Sequence, residues 1–260
     1  MFYAVLLFLV FILLVFALWI SVGLGRRYGR IQLEHHIDHR LEVVTVAESA
    51  VFALLGLLIA FTFAGAYDRF EHRKMHLVEE ASAFSKAYEY IDLLSPKYQP
   101  VIRRQVRQYL DLHLNIYRDL PNLKKAWQDI DRLNIMQNQI WHTVTLAVKG
   151  TPDKYAELLV VPAMDDMFTA SYTGINMARI HPPIIIFLLL IMLAALGAFL
   201  VGYIAAENQQ KNPVHIASYV ILTAFIIYII TNIEFPRVGF VRLNMFDQLL
   251  VDVREGMGQS

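Results

Sequence analysis

Four apolar blocks punctuate the chain, and a long helix-patterned polar stretch separates the second block from the third. Phe2 to Val22 carries no charged residue and gives way to Gly23, Gly25 and the pair Arg26 and Arg27. Ser49 to Tyr67 forms the second block, with Glu48 ahead of it and Asp68 and Arg69 behind. Pro183 to Ala205 is the third, entered through Pro182 and Pro183, whose missing donors cost nothing in a first helical turn. Val214 to Ile233 is the fourth, opened by Pro213 and closed by Glu234 and Pro236. Each block is close to the ~20 apolar residues that a helix needs to cross hydrocarbon. The first has no positive residue ahead of it and exceeds the length of a signal-peptide h-region, so it is expected to persist as a span.

Between the blocks the apolar period is helical. No proline follows Thr45 until Pro96, so the second span is expected to run on as a stalk; Asp68 to Leu94 would extend roughly 40 Å at ~1.5 Å per residue. Phe70, Leu77, Phe84 and Ile91 recur every seven residues, with Ala81 and Tyr88 beside them and Lys74 interrupting. This stripe either packs on later helices of the same chain or forms a seam between subunits. Further helices are legible over Val101 to Asp119, Leu123 to Val148 and Asp153 to Ile180. The second of these shows Trp127, Ile130, Ile140, Trp141 and Val144, and Pro162 is expected to kink or divide the third. No period-two pattern of useful length competes. The fold class is therefore all-α, a polytopic membrane protein with four transmembrane helices and a helical domain between spans two and three. The expected divisions are 1–67, a first membrane pair with its basic loop; 68–182, the helical domain; 183–233, the second pair; and 234–260, a tail. In that tail Phe246, Leu249, Leu250 and Val253 mark a short amphipathic helix, lying on the domain or on the membrane surface.

Composition agrees, with 57% hydrophobic and 18% charged residues, against about 45–50% and roughly 25% in soluble domains. The formal charge is zero, which offers no footprint for nucleic acid. The absence of cysteine excludes thiolate metal sites and cysteine nucleophiles. Arg26, Arg27, Arg30 and Arg40 follow span one, so the positive-inside rule places that loop in the cytoplasm and the helical domain outside. Arg69, Arg73 and Lys74 argue the other way, but they head a long domain, and such domains translocate largely regardless of charge.

Candidate chemistry is sparse. In the loop after span one, His35 and His39 share a helical face with His36 close by, a set that could ligate zinc or copper; a charged surface helix explains the same residues. Glu79 and Glu80, like Asp165 and Asp166, are consecutive and diverge by about 100°, so neither pair can flank a substrate. No phosphate loop or nucleophile elbow appears, and no enzyme activity or cofactor is expected. Ser49, Ala53, Gly56, Ala60 and Ala64 run down one face of span two toward Asp68, and Ala194, Ala198 and Gly202 form a similar run in span three. Small residues let helix backbones approach closely in lipid. They could instead line a permeation path, with Thr62 supplying a hydroxyl and Glu48, Asp68 and Arg69 setting charge at its mouths. Thr231 and Asn232, near the end of span four, are the other polar side chains deep enough to join.

The segment GLLIAFTFAGAYDRFEHRKMHLVEEASAFSKAY, Gly56 to Tyr88, resembles the second span and following helix of the bestrophin-like bacterial membrane proteins. The matching positions are Gly56, Phe61, Arg69, Arg73, Glu79, Glu80 and Ala81, and the tail adds Pro236, Gly239 and Arg242. The resemblance implies kinship with the bestrophin anion channels, homopentamers whose second span lines the pore. The proline-interrupted, aromatic-studded pore helix and acidic calcium clasp expected of those channels are absent from this sequence. The expectation is a homo-oligomeric ion channel, or channel-like protein, of the bacterial inner (cytoplasmic) membrane, with span two nearest the axis and the bilayer, ions and its own copies as partners. The alternative is a non-conducting sensor or scaffold whose helical domain binds a partner. Topology is directly testable because no native cysteine interferes: cysteines at Gly25 and at Asn208 should both be protected from an impermeant thiol reagent in intact cells, and one at Asn122 labelled. The reverse pattern would place the helical domain in the cytoplasm.

Overall fold

A computed structural model describes residues 2–34, 41–119, 123–206, 213–236 and 244–258. In chain order it contains α1 (Phe2–Glu34), α2 (Leu41–Glu89), α3 (Gln99–Asp119), α4 (Leu123–Lys149), α5 (Tyr155–Met177), α6 (Ile184–Ile204), α7 (Pro213–Glu234) and α8 (Asn244–Gly256), with a 3-10 turn at Tyr90–Leu93. Among the described residues there is no strand, and α1, α2, α6 and α7 are long and apolar enough to cross a membrane. The all-α class is therefore observed, with four helices of membrane-spanning length and composition. Two compact units divide the chain, one of Met1–Phe70 with His181–Val241, the other of Glu71–Ile180 with Arg242–Ser260. The boundary falls inside α2.

The first unit is organised by glycine. Without a solvent force between helices in lipid, backbones associate where small residues let them touch. A Cβ added at Gly202 would run into the Val22 carbonyl, and one at Gly25 into that of Phe199. At Gly29 the carbonyl of Tyr203 and the methyl of Ala206 would each be 2.7 Å away. So α1 and α6 are in backbone contact. The apolar pattern predicts an end to span one near Val22, yet the helix runs to Glu34. Docking Gly25 and Gly29 on α6 outweighs a glycine's helix cost of about 1 kcal/mol. Leu18, Val22, Leu190, Ala194, Ala198, Val220, Ala224 and Ile230 fill the core, which α2 joins through Leu55 and Ala66. Ser21 donates to the Ala195 carbonyl (2.7 Å) and Tyr219 to that of Ala194 (3.1 Å), so these intramembrane hydroxyls are satisfied.

In the second unit α2 contributes Leu77, Ala81, Phe84 and Tyr88, all buried, followed by Ile91 in the 3-10 turn. The seven-residue stripe thus packs within its own chain. The same unit buries Ile102, Val106, Tyr109 and Leu110 of α3, Ile140 and Val144 of α4, and Val160, Met164 and Met167 of α5, and the Phe84 ring meets that of Tyr109 at 6.1 Å. Pro162 sits inside α5, which continues across it. Trp127, grouped by its spacing with the apolar side of α4, is 48% exposed and stacks instead beneath the Arg179 guanidinium at 4.1 Å. The tail helix α8 docks on this unit. Arg254 forms a fork with both oxygens of Asp111 (2.7 and 2.9 Å), Leu250 is fully buried, and Tyr88 and Arg107 both donate to the Met257 carbonyl.

Gly202→Ala should lower stability by about 1–3 kcal/mol, the usual cost of overpacking, because the added methyl meets backbone rather than a movable side chain. Gly56→Ala should not lower melting and should raise it slightly, by up to about 1 kcal/mol of helix propensity, since nothing lies within 4 Å of a Cβ there. Fluorescence-detected melting in detergent separates the two.

Candidate functional site: the open face of the second span

At about 100° per residue, the candidate residues of α2 separate into two edges. Ser49, Ala53, Gly56, Ala60 and Ala64 lie within about 80° of one another, and all five are exposed, as is Asp68 at the end of the row. Glu48, Thr62 and Arg69 lie on the far edge with Leu55, Leu58, Ile59 and Ala66, which belong to the core of the first unit or pack against it. The small-residue row of α2 is therefore uncovered among the described residues, whereas the run of Ala194, Ala198 and Gly202 in α6 is buried against α1.

This division reassigns several roles. Thr62 donates its hydroxyl proton to the carbonyls of Leu58 (2.7 Å) and Ile59 (3.0 Å), so the proton is held by its own helix. Thr231 and Asn232 are likewise bonded to the Ile227 and Tyr228 carbonyls of α7. Arg69 grips Glu234: Nε at 2.9 Å and Nη2 at 2.6 Å share one oxygen of a carboxylate that is fully buried. The second oxygen lies 3.1 Å from His181 Nδ1, and the His181 ring stacks on Phe235 with centroids 4.4 Å apart. Arg69 is thus a brace between α2 and the end of α7. Two residues not singled out by the sequence pattern stand on the open face. Phe63 and Tyr67 are exposed and stacked nearly parallel (6.4 Å, 10°), and an aromatic pair four apart beside Ala60 and Ala64 was the available signal.

His35, His36 and His39 lie outside the described residues, and among the described ones no group of three metal-ligating side chains converges. A different polar cluster is buried in the second unit. Glu80 Oε1 lies 2.7 Å from His113 Nε2, both side chains fully buried, at an angle outside hydrogen-bond geometry. Tyr117 donates to Glu80 Oε2 (2.9 Å), Ser171 Oγ meets His113 Nδ1 (2.9 Å), and Tyr109 donates to Ser171 (3.1 Å). Burial pushes the Tyr109 hydroxyl up to about 12, against the lowering effect of Ser171 and with the Glu80 charge adding, so it stays a neutral donor. Gly174 makes room, since a Cβ there would run into the Tyr117 hydroxyl. Glu80 is served by α3, far along the chain, which is why its neighbour Glu79 was no guide to it.

A family described as bestrophin-like domain matches residues 11–244. The chain belongs to the bestrophin-like family. No curated protein matches it. Among solved structures, several point-mutant forms of a bacterial bestrophin homologue from Klebsiella pneumoniae are similar to this chain. One gives a TM-score of 0.71 at 13% identity, over 94% of this chain and 97% of that one. A second gives 0.66 at 13%, over 95% and 99%. A third gives 0.64 at 12%, over 92% and 98%. These likenesses establish a shared fold. Within the bestrophin-like segment, the matching positions now separate by role. Arg69, Arg73, Glu80 and Ala81 face their own chain, where Arg73 closes the end of α5 through the Met177 (3.2 Å) and Ile180 (2.7 Å) carbonyls. Gly56, Phe61 and Glu79 face outward.

Removing Arg69 leaves a buried carboxylate with less compensation. Arg69→Ala should therefore destabilise toward the lower end of the roughly 3–5 kcal/mol typical of breaking a buried pair, since His181 still faces Glu234. Adding Glu234→Gln to that variant should restore part of the loss. An additive double-mutant cycle in thermal melts would show the brace to be energetically silent.

Proposed function

We propose that this bestrophin-like protein is a homo-oligomeric ion channel of the bacterial inner membrane, with the open face of α2 turned toward the symmetry axis. The observation that carries the reading is the row of Ser49, Ala53, Gly56, Ala60 and Ala64, uncovered along α2 while its opposite edge is packed into the first unit. Family membership supports it, because bestrophin kin conduct ions. Small side chains around an axis leave room for a path, and a polar or charged ring at its mouth sets the sign of the ion that passes. Phe63 and Tyr67 stand among the small residues near the Asp68 end and would form its narrowest apolar stretch. The remaining helices, α3 to α5 with α8, form the extramembrane part on this reading, on the outer side of the membrane.

Asp68 is the acid on the open face, whereas Glu48 and Arg69 lie on the packed edge, Arg69 bound to Glu234. A ring of carboxylates favours cations. Purified protein in a planar bilayer under a salt gradient should therefore show a modest cation preference that Asp68→Asn reduces. Replacing Phe63 and Tyr67 together with alanine should raise unitary conductance. Absence of conductance in protein shown to be folded and oligomeric would reject the channel and favour the sensor or scaffold. Anion preference unaffected by Asp68→Asn would keep the channel and remove Asp68 from its selectivity.

A further inference from the structure

The final turns of α1 combine three features that the channel reading does not use. Gly25 and Gly29 fix the rotation of the helix by pressing it against α6. With that edge assigned, Arg26, Arg30 and Arg27 fall within one arc of about 100° beside it. The next arc carries Leu24, Tyr28 and Ile31, which are 55%, 51% and 47% exposed. Arginines and exposed apolar groups thus alternate around the helix rather than along it. Among the described residues none of the three arginines is ion-paired, and Glu34, one turn beyond Arg30, is the sole acid on α1.

A polar ladder at the same level marks the depth. Gln32 donates to the Tyr28 hydroxyl (3.1 Å) and accepts from that of Tyr203 on α6 (3.3 Å). Tyrosines with their rings on apolar surface and their hydroxyls in a polar layer are characteristic of the membrane interface. The Tyr28 ring lies 6.1 Å from Phe199 and 6.2 Å from Tyr203, which completes that layer. Charge and hydrophobicity side by side at this depth match an amphiphile carrying negative charge. A soluble anion would match the arginines and leave Leu24 and Ile31 uncovered. A zwitterionic lipid would cover the apolar arc without a net charge for the arginines to neutralise.

We propose that the end of α1 is a binding site for an anionic phospholipid, its phosphate held by Arg26, Arg27 and Arg30 and its acyl chains lying against Leu24, Tyr28 and Ile31. The arrangement does more than a topology signal requires, because arginines that only fix orientation need not share one arc next to an exposed apolar strip. The site is independent of whether the chain conducts.

Full-length protein purified in neutral detergent tests it, titrated separately with phosphatidylglycerol, phosphatidylcholine and inorganic phosphate. Retained lipid is counted by native mass spectrometry, and thermal melting is read alongside. Wild type should retain phosphatidylglycerol in preference to phosphatidylcholine and melt higher in its presence. Each Arg→Gln substitution should weaken phosphatidylglycerol retention about fivefold, the effect of one basic residue near an anionic surface, and leave phosphatidylcholine retention unchanged. Arg27→Lys should keep most of the binding. Should the triple R26Q/R27Q/R30Q variant fail to fold, the three single variants carry the test. Equal retention of the two lipids by wild type, or phosphatidylglycerol retention unchanged in the single variants, would overturn the site. A melting shift from inorganic phosphate matching that from phosphatidylglycerol would overturn the lipid as its occupant.

Discussion

Backbone contact between α1 and α6 is the constraint on which the membrane unit depends. In water, apolar side chains would drive these helices together; in lipid the tails solvate leucine as well as another leucine does, and only closer packing is gained by association. That gain is large where the side chain is a hydrogen atom. Gly25, Gly29 and Gly202 remove the spacing between two helix surfaces, and Ala194 and Ala198 continue the contact along α6. The same contact keeps α1 helical through Gly23, Gly25 and Gly29, where propensity alone would end it. It also decides which arc of α1 presents its arginines and which presents its exposed apolar groups.

The second span follows the opposite logic. Among the described residues its small side chains are exposed, and its larger ones pack into the first unit through Leu55, Leu58 and Ile59. A face of serine, alanine and glycine is a poor surface for lipid, offering little area and leaving backbone accessible. It is well suited to a close neighbour or to an axial space. An equal stripe in α6 is consumed inside the chain, so residue type alone does not distinguish the two uses; position relative to the core does.

Much of the fold was legible in the sequence because lipid imposes a coarse and unambiguous rule: every backbone polar group must be satisfied within its own segment, so long apolar runs become helices. Proline boundaries placed the ends of α3, α6 and α7 close to where they fall. The length of α1 was not legible, since its glycines read as a terminus until their partner on α6 is known. The candidate set on α2 was half legible. Spacing puts Ser49, Ala53, Gly56, Ala60 and Ala64 on one face and Glu48, Thr62 and Arg69 on another, but it could not show which of the two turns toward the core. Glu234, the partner of Arg69, and His181, which meets the same carboxylate, lie far along the chain from Arg69, and His113 stands on a different helix from Glu80. Such pairings carry no local period, and a sequence read by periodicity is blind to them.

Apolar packing does little to fix the rotation of a helix about its own axis, because one leucine substitutes for another in a greasy groove. Polar contacts do this sharply. Along α2, Arg69, Arg73, His76 and Glu80 follow one another at spacings of four, three and four, which places them on a single narrow edge. Each is held inside its own unit: Arg69 by Glu234, Arg73 by the carbonyls that end α5, His76 by the Ala170 carbonyl at 2.9 Å, and Glu80 by His113 and Tyr117. Buried charges of this kind are weak sources of net stability and better attested as devices that select one register. A turn of α2 by even one residue, about 100°, would strand Glu234 and Glu80 without their cation and donor partners. The helix therefore has one permitted rotation, and in that rotation the row from Ser49 to Ala64 is exposed on the side away from the core of the first unit. The polar edge that looks functional is the part that holds α2 still; the bland edge is the part left available for work.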